Sequence, residues 1–276
     1  MELRFVKMHG ARNDFVILDE GERTVKDPAA IARHLCALHE GIGADGLILV
    51  RSNPPDGGRV VFLNADGSRA EMCGNGLRCA AHYLVWQHGL PTSLRLETDM
   101  GMRRCVIHGG GQGRRADVEV EMGTVQSEGV AGGETWQGHL MHLGTSQVPA
   151  FALSLGNPHL VLLRHGLPDE VETLGATLSG HPSFIEGTNV EWVQRIDGDR
   201  CEVEVYERGV GRTLACGSGA CAAVGALILA GQVEAGRSIE VRMPGGLLQV
   251  TIDDRWQAWL RGPSEVVFEG QLQPWW

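Results

Sequence analysis

The chain repeats itself along almost its whole length. Motifs of the first half recur in the second half at a nearly constant offset of 143 or 144 residues. The clearest matches pair Asn13 with Asn157, Gly43 with Gly187, Asn64 with Glu207, Cys73 with Cys216, and Gly101 with Gly245. An internal repeat means that each copy encodes the same supersecondary unit. The sequence therefore predicts two homologous halves.

Each half has the same order of elements. A β-rich opening leads to a strand and a turn, then to a Cys-Gly-x-Gly loop, an apolar helix and further hairpins. Helices are predicted over 75–88, ending at Gly89, and over 218–230, ending at Gly231. The second helix is apolar on all sides, which is typical of a buried helix. We expect an α+β fold of two pseudo-symmetric halves, each a curved, mainly antiparallel sheet wrapped around a central helix, with a cleft between them.

The size and charge of the chain limit what these halves can do. The 276 residues suffice for two domains with real cores, which we place at 1–118 and 119–263, with 264–276 returning to the first half. A formal net charge of −10 argues against nucleic acid or an anionic membrane as the partner. The sequence shows no apolar leader and no run of 18 apolar residues, and its seven cysteines follow no secreted framework. We expect a cytoplasmic protein with reduced thiols.

The sequence contains neither a dinucleotide-binding motif in the required context nor a zinc-binding motif. The stretch "GIGADG", residues 41–46, has dinucleotide-binding spacing, but it follows a predicted helix over 28–40 and precedes a strand, the reverse of the required order. The cysteine spacings do not suit a zinc site, and no H-E-x-x-H occurs, so we expect no metal. The remaining thiols are expected to pack as small core residues: Cys36, Cys79, Cys105, Cys201 and Cys221.

Cys73 and Cys216 differ from the other thiols because each directly precedes a predicted helix. Unpaired N–H groups and the helix dipole at that end are expected to lower the pKa of a thiol. The glycine-rich residues that follow leave those N–H groups accessible to a carboxylate or phosphate. The pair could form a redox disulfide, or the two thiols could exchange a proton on opposite faces of one carbon. A separation of 143 residues is unlike a redox C-x-x-C, so the second interpretation is favoured.

Four segments carry a specific resemblance. They read "MHGARNDFVILD", "NADGSRAEMCGNGLRCAA", "GNPHLV" and "YERGVGRTLACGSGACAA", and together they span nearly the whole chain. The chain resembles the diaminopimelate epimerase family in these segments. Proline and hydroxyproline racemases typically carry His after the first Cys-Gly, where this chain has Asn75. Phenazine-pathway isomerases of the same fold lack the paired cysteines.

The resemblance implies a cofactor-independent isomerase that converts L,L-diaminopimelate to the meso form in lysine and peptidoglycan precursor biosynthesis. Cys73 and Cys216 would be the two bases, exchanging roles with reaction direction. The implied substrate-binding residues are Asn13, Asn64, Gly74, Asn75, Asn157, Asn189, Glu207, Arg208, Gly217 and Ser218. Within this set, backbone N–H groups would hold the carboxylate at the reacting centre, and Arg208 suits a bidentate carboxylate contact. His159 would assist by pairing with Glu207.

The departures from the family pattern are mild. Ala11-Arg12 stands where Leu-Gly is often found, and Gly46 stands where some members carry a glutamine that contacts the substrate. Two alternatives remain open: a racemase of the same fold acting on another amino acid, and a thiol-redox or carboxylate-binding protein without epimerisation. The apolar pair Trp275 and Trp276 could pack in the first half or at a homodimer interface.

Overall fold

The structure, a computed structural model, describes residues 3–21, 25–70, 73–164, 166 and 171–272. The pair Trp275 and Trp276 therefore lies outside the described residues. The described chain divides into two compact units. Unit 1 comprises Met1–Val120 and Arg261–Trp276, and unit 2 comprises Glu121–Leu260. The division falls within three residues of the boundaries that the repeat suggests.

Unit 1 is built on a ring of strands. Its elements, in chain order, are β1 (Leu3–Gly10), β2 (Asn13–Asp19), α1 (Pro28–Cys36), β3 (Gly46–Asn53), β4 (Gly57–Asn64), α2 (Gly74–His88), β5 (Ser93–Thr98), β6 (Gly101–His108) and most of β7 (Arg115–Thr124). Strands that follow one another in the chain pair with each other: β2–β3 and β4–β5 are parallel, and β1–β2, β3–β4, β5–β6 and β6–β7 are antiparallel. The last strand of the chain, β17 (Gln257–Leu272), pairs with both β1 and β7 and closes the ring.

Unit 2 repeats this arrangement. Its elements are β8 (Gln126–Ser127), β9 (Gln137–Leu143), β10 (Ser146–Ser154), β11 (Pro158–Leu163), α3 (Val171–Ser179), β12 (Asn189–Asp197), β13 (Arg200–Glu207), β14 (Gly211–Thr213), α4 (Gly217–Leu229), β15 (Ser238–Met243) and β16 (Gly246–Ile252). The parallel pairs are β11–β12 and β13–β15, and β10–β11, β12–β13 and β15–β16 are antiparallel. The alternation is that of unit 1, which confirms the predicted duplicated α+β fold.

Parallel neighbours need a crossover, and in each unit a helix supplies it. The first crossover helix of unit 1, α1, begins after the N-cap Asp27, whose side chain accepts from the Ala30 N–H at 3.0 Å. It ends at Cys36, four residues short of the predicted 28–40. The chain leaves the helix at Ala37, whose ψ of 127° is extended. The apolar helical pattern therefore continues beyond the point at which the backbone turns toward β3.

The second crossover helix of each unit is the central helix of the prediction. α2 is buried from Gly74 to Val85, and its C-cap Gly89 adopts the left-handed conformation, with φ 64°. α4 is buried from Gly217 to Leu227. Both helices begin one residue earlier than the sequence pattern indicates, so the cysteine before each one is the N-cap. The fold therefore presents the same helix end twice.

None of the helices within the described residues has the length and apolar character that crossing a lipid bilayer requires.

Candidate active site

Cys73 serves as the N-cap of α2. Its backbone is extended, with φ −137° and ψ 98°, and its Sγ accepts a hydrogen bond from the Gly76 N–H at 3.3 Å. A Cβ added at Gly76 would lie 2.9 Å from Cε1 of Phe62 on β4. The helix start therefore packs so closely on the sheet that only glycine fits without a shift. Cys73 itself is partly exposed.

Cys216 occupies the same position in unit 2. It caps α4 with φ −122° and ψ 115°, and its Sγ accepts from the Gly219 N–H at 3.4 Å. A Cβ added at Gly219 would lie 2.7 Å from Oε1 of Glu191 on β12. Unlike Cys73, this cysteine is buried, with 6% of its surface exposed. The structure thus gives both thiols the predicted helix-end position in different surroundings.

Asn13 and Asn75 accompany Cys73. The Asn13 Oδ1 accepts from the Cys73 thiol at 3.8 Å and from the Asn75 Nδ2 at 3.2 Å. The Asn13 Nδ2 donates to Asp45 at 2.7 Å, which fixes the orientation of its amide. Asn13, Cys73 and Asn75 therefore form one hydrogen-bonded group.

Asn64 is also in unit 1, at the end of β4, where its amide donates to Ser68 Oγ at 2.9 Å and its side chain is exposed.

A buried arginine supports this group from behind. Arg78, fully buried one turn along α2, donates from Nη2 to the Asn75 Oδ1 at 2.9 Å and from Nε to the Pro263 carbonyl at 3.3 Å. Its Nη1 also approaches the Gly74 carbonyl at 3.5 Å. Sequence analysis missed Arg78. The available signal was the position of Arg78 in a mostly apolar stretch, residues 77–86, because charged residues are almost never fully buried without partners.

Ser218 and Asn157 surround Cys216. The Cys216 Sγ lies 3.5 Å from the Ser218 Oγ, which accepts from the Asn157 Nδ2 at 3.4 Å. The carboxylate of Glu207 is close enough to the Cys216 thiol to raise its pKa. Glu207 accepts a hydrogen bond from the Thr213 hydroxyl at 2.5 Å. Three other residues of the predicted set, Asn157, Glu207 and Ser218, therefore lie around the Cys216 sulfur.

Burial governs the acid–base properties of this group. It raises the pKa of the Cys216 thiol well above its ordinary value, and the nearby carboxylates of Glu207 and Glu191 raise it further. Burial likewise raises the pKa of Glu207. The predicted lowering of the thiol pKa at a helix end is therefore wrong for Cys216, because loss of hydration outweighs the helix end.

His159 pairs with Glu191 rather than with Glu207. The His159 Nδ1 lies 2.7 Å from the Glu191 Oε1, and both side chains are fully buried. The Nε2 of the same ring lies 3.2 Å from the Asn157 Oδ1. The predicted pairing with Glu207 is therefore wrong. His159 and Glu191 lie on parallel neighbouring strands, β11 and β12, whose register brings them together, whereas Glu207 is one strand further away.

Asn189 and Arg208 are linked through the backbone. The buried Asn189 amide accepts from the Arg208 N–H at 2.9 Å and donates to the Pro158 carbonyl at 3.1 Å. The Arg208 guanidinium donates to the Glu186 carbonyl at 3.0 Å and is exposed. Asn189 thus holds the segment that carries Arg208.

The glycine at position 46, where some family members carry glutamine, lies against a neighbouring strand that leaves no room for a side chain. Gly46 pairs with Asn64 across β3 and β4, and a Cβ added there would lie 2.6 Å from the Leu63 carbonyl oxygen. A glutamine at this position would require the backbone to move. The close approach of β4 therefore excludes that side chain from this site.

Ala11 and Arg12, which differ from the family pattern, form the two-residue turn before Asn13. Both residues have positive φ, 52° and 66°, and Gly10 pairs with Asn13 across the turn. Such turns favour Asn or Gly, because side chains crowd the backbone at positive φ. The strain therefore lies directly beside a residue of the candidate site.

Replacing the exposed Arg12 by glycine is expected to raise the free energy of unfolding by about 1 kcal/mol, because the strain at φ 66° disappears. Denaturant unfolding of Arg12→Gly measures this change. Arg12→Ala is the control, because alanine keeps the strain while removing the guanidinium. An equal gain in both variants would show that charge, not backbone strain, is responsible.

Among the residues that the structure describes, no cluster of His, Cys, Asp or Glu has a geometry suited to holding a metal ion. The other cysteines are buried. Burial raises the pKa of Cys36 to about 11 and that of Cys79 and Cys201 to about 12. These thiols are packed as core residues, as the sequence predicts.

Comparison with known proteins gives a consistent result. The family model for diaminopimelate epimerase matches residues 5–128 and 151–267. The chain is 40% identical over 281 residues to a diaminopimelate epimerase of Desulforudis audaxviator, covering 98% of this chain and 99% of the relative. It is 37% identical over 287 residues to one of Heliobacterium modesticaldum, covering 98% and 99%.

Solved structures of the same fold are more distant in sequence. A phenazine biosynthesis protein of the PhzF family from Bacillus anthracis superposes with a TM-score of 0.71 at 15% identity, covering 99% of this chain and 100% of that one. A hydroxyproline epimerase from Agrobacterium vitis, solved with bound trans-4-hydroxy-L-proline, gives a TM-score of 0.71 at 14% identity, covering 98% and 91%. At this identity, the likeness establishes the fold alone.

Proposed function

The chain belongs to the diaminopimelate epimerase family, and we propose that it converts L,L-diaminopimelate to the meso form at Cys73 and Cys216 without a cofactor. It is an isomerase, and its place is in lysine and peptidoglycan precursor biosynthesis. The observation that carries the proposal is the duplicated helix end. In each unit a cysteine caps a buried helix whose first residues are small.

In the proposed reaction the two thiols act as acid and base on one α-carbon. A thiolate takes the α-proton from one face, forming an S–H bond as the C–H bond breaks. The opposite thiol then gives its proton to the other face, so that the configuration inverts and the two sulfurs exchange protonation states. The reverse reaction uses the same groups in exchanged roles, and neither step gains or loses electrons.

The negative charge that develops on the substrate needs stabilisation. A helix N-terminus offers N–H groups that the helix itself does not use, together with the positive end of the dipole. We assign the carboxylate at the reacting centre to the N–H groups of Gly74, Asn75, Gly217 and Ser218. Donors fixed in advance stabilise an enolate-like charge without having to reorganise during the reaction.

The polar residues around the cysteines suit the rest of the substrate. Glu207, as a carboxylate, matches the ammonium group of an amino acid, and Asn64 holds the corresponding position in the repeat. Asn13, Asn157, Asn189 and the exposed guanidinium of Arg208 are assigned to the distal amino acid end. Arginine binds a carboxylate through two parallel hydrogen bonds, which would select the substrate's stereochemistry. His159 assists the Cys216 side, acting through Asn157.

The expected partner is a small-molecule substrate, with no role for nucleic acid or membrane, and we place the protein in the cytoplasm. The net charge of −10 supports the absence of a nucleic-acid or membrane partner, because it disfavours binding to polyanions. A homodimer is compatible with the proposal, which requires none of its residues from a second copy.

Incubation of the enzyme with L,L-diaminopimelate in deuterium oxide tests the function. We expect formation of the meso isomer together with deuterium at the α-carbon, because the proton delivered by a thiol comes from solvent. Mass spectrometry and chiral chromatography measure both. Proline and trans-4-hydroxyproline serve as comparison substrates and should remain unchanged.

Two results would contradict the proposal. Turnover of proline or hydroxyproline but not of diaminopimelate would make the protein a racemase of the same fold with another substrate. Tight binding of diaminopimelate without deuterium incorporation would make it a carboxylate-binding protein.

A further inference from the structure

The duplicated asparagines Asn13 and Asn157 are held in opposite orientations. In unit 1 the Asn13 amide nitrogen donates to Asp45, so its oxygen faces Cys73. In unit 2 the Asn157 oxygen faces His159, so its amide nitrogen donates to Ser218 beside Cys216. Equivalent residues therefore present an acceptor to one cysteine site and a donor to the other.

A continuous line of contacts leads from Asn157 to a buried carboxylate. The Asn157 Oδ1 lies 3.2 Å from the His159 Nε2, and the His159 Nδ1 lies 2.7 Å from the Glu191 Oε1. His159 and Glu191 are both completely buried. Because one ring nitrogen is anchored by Glu191, the imidazole cannot rotate away from Asn157. Glu191 thus reaches the Cys216 site through two other side chains.

Unit 1 has no such pair at the equivalent positions. Phe15 pairs with Gly46 on β2 and β3 as His159 pairs with Asn189 on β11 and β12. Two residues further along the partner strands stand Ile48 in unit 1 and Glu191 in unit 2. Apolar side chains thus occupy in unit 1 the positions of the His159–Glu191 pair in unit 2.

The contacts at the starts of α2 and α4 also show that Ile48 and Glu191 occupy equivalent positions. A Cβ added at Gly76 would lie 3.2 Å from Ile48 Cδ1, whereas one added at Gly219 would lie 2.7 Å from Glu191 Oε1. The His159–Glu191 pair is therefore a feature of the Cys216 site and not of the repeated fold.

This pair is a poor device for stability alone. Within the described part of the chain, the buried Glu191 Oε2 has no hydrogen-bond partner. A buried ion pair is often no more stabilising than apolar residues of similar volume, and an unsatisfied oxygen makes the balance worse. The apolar counterparts in unit 1 show that the fold accepts that alternative. A role in the reaction accounts for the pair better.

We propose that Glu191 is a positioning residue that fixes His159, and through it the amide of Asn157, at the Cys216 site. The inference rests on the proposed function, because it gives the Asn157 amide a role in holding the substrate. Besides Glu191 on β12, Glu207 at the end of β13 interacts electrostatically with His159. The ring nitrogens of His159 contact Glu191 and Asn157 and not Glu207, so Glu191 is the carboxylate anchor of the ring.

Three variants separate positioning from stability. Glu191→Leu removes the anchor, Glu191→Gln keeps an oxygen that can accept from Nδ1, and the double variant His159→Phe/Glu191→Ile reproduces the residue types of unit 1. The control is Glu204→Gln, which removes a carboxylate that pairs with Arg212 at the edge of the same unit. Each variant is characterised by denaturant unfolding, steady-state kinetics, and ¹H–¹⁵N NMR of the His159 ring.

We expect Glu191→Leu to lower kcat/KM about 10²-fold, with a rise in KM, because small displacements of a positioned group have effects of that size. Glu191→Gln should recover at least about ten-fold of this loss. The strongly deshielded Nδ1–H signal of a carboxylate-bound ring should disappear in Glu191→Leu. The double variant should be at least as stable as the wild type yet as inactive as Glu191→Leu, and the control should match the wild type.

Wild-type kcat/KM and an unchanged His159 ring spectrum in Glu191→Leu would overturn the inference. If Glu191→Leu fails to fold, the double variant decides, because it removes both members of the pair without leaving a buried polar group unpaired. Recovery of activity together with stability in the double variant would also overturn it, since the pair would then be structural only. If the wild type does not epimerise diaminopimelate, the proposed function fails, while the ring spectrum still tests whether Glu191 anchors His159.

Discussion

Cys73→Ala and Cys216→Ala are each expected to lower kcat for diaminopimelate epimerisation by about 10³-fold. A positioned acid or base accelerates proton transfer by roughly 10²- to 10⁴-fold, and the proposed reaction requires one on each face of the carbon. Losing either sulfur therefore stops inversion, although the other remains. Steady-state assays in both directions, with deuterium incorporation followed in the same samples, measure the loss.

The controls for this prediction lie in the same helices. Cys79→Ala and Cys221→Ala each remove a fully buried thiol from α2 or α4 that neither caps the helix nor carries a proposed role. They should lower the free energy of unfolding by about 1 kcal/mol and leave kcat within a factor of about two. Formation of the inverted, deuterated isomer in both Cys73→Ala and Cys216→Ala would rule out the two-base reaction.

Arg78→Met is expected to lower the free energy of unfolding by about 3 kcal/mol and to raise KM about ten-fold. The variant leaves the Pro263 carbonyl and the Asn75 Oδ1 without their buried donor, and each lost partner costs about 1–3 kcal/mol. The rise in KM has a separate cause. Asn75, no longer held from behind, is free to turn away from Asn13 and the candidate carboxylate site. Denaturant unfolding and steady-state kinetics measure the two effects independently.

His82→Phe distinguishes these two effects. His82, also fully buried, lies one turn further along α2, and its ring bonds to the Ser264 hydroxyl at 3.1 Å and to the Gly113 carbonyl at 2.9 Å. Its loss should lower stability by about 2 kcal/mol without changing KM, because neither partner touches Asn13 or Asn75. An equal rise in KM in both variants would mean that general loosening of α2, not release of Asn75, is the cause.

The fold was readable from the sequence because its signals are local and occur twice. Each cysteine–glycine loop precedes an apolar run that ends near glycine, and the repeat allowed one half to be checked against the other. The end of α1 was not readable in the same way. Residues 37–40 continue a helical pattern, and the Ile42 and Gly43 N–H groups instead cap the helix at the Leu35 carbonyl.

The sequence indicated which residues lie beside each cysteine, but not which side chains hydrogen-bond to one another. Asn13 and Asn75 lie beside Cys73 in unit 1, and Asn157 and Ser218 lie beside Cys216 in unit 2, because these residues follow the duplicated motifs. The partner of His159 was misjudged, because Glu191 stands 32 residues away and only the register of two parallel strands brings it near. The pKa of Cys216 was misjudged because the helix end can be read from a sequence, whereas burial and two neighbouring carboxylates cannot.

The cysteine caps couple the reaction to the helices themselves. Each Sγ accepts a backbone hydrogen bond, from Gly76 in one unit and from Gly219 in the other. A charged acceptor binds an N–H group more strongly than a neutral one, so a thiolate is a better cap than a thiol. Each turnover of the proposed reaction would therefore strengthen one cap as it weakens the other. The amide protons of Gly76 and Gly219 would be built-in reporters, whose NMR shifts and exchange with solvent record which half of the molecule carries the charge.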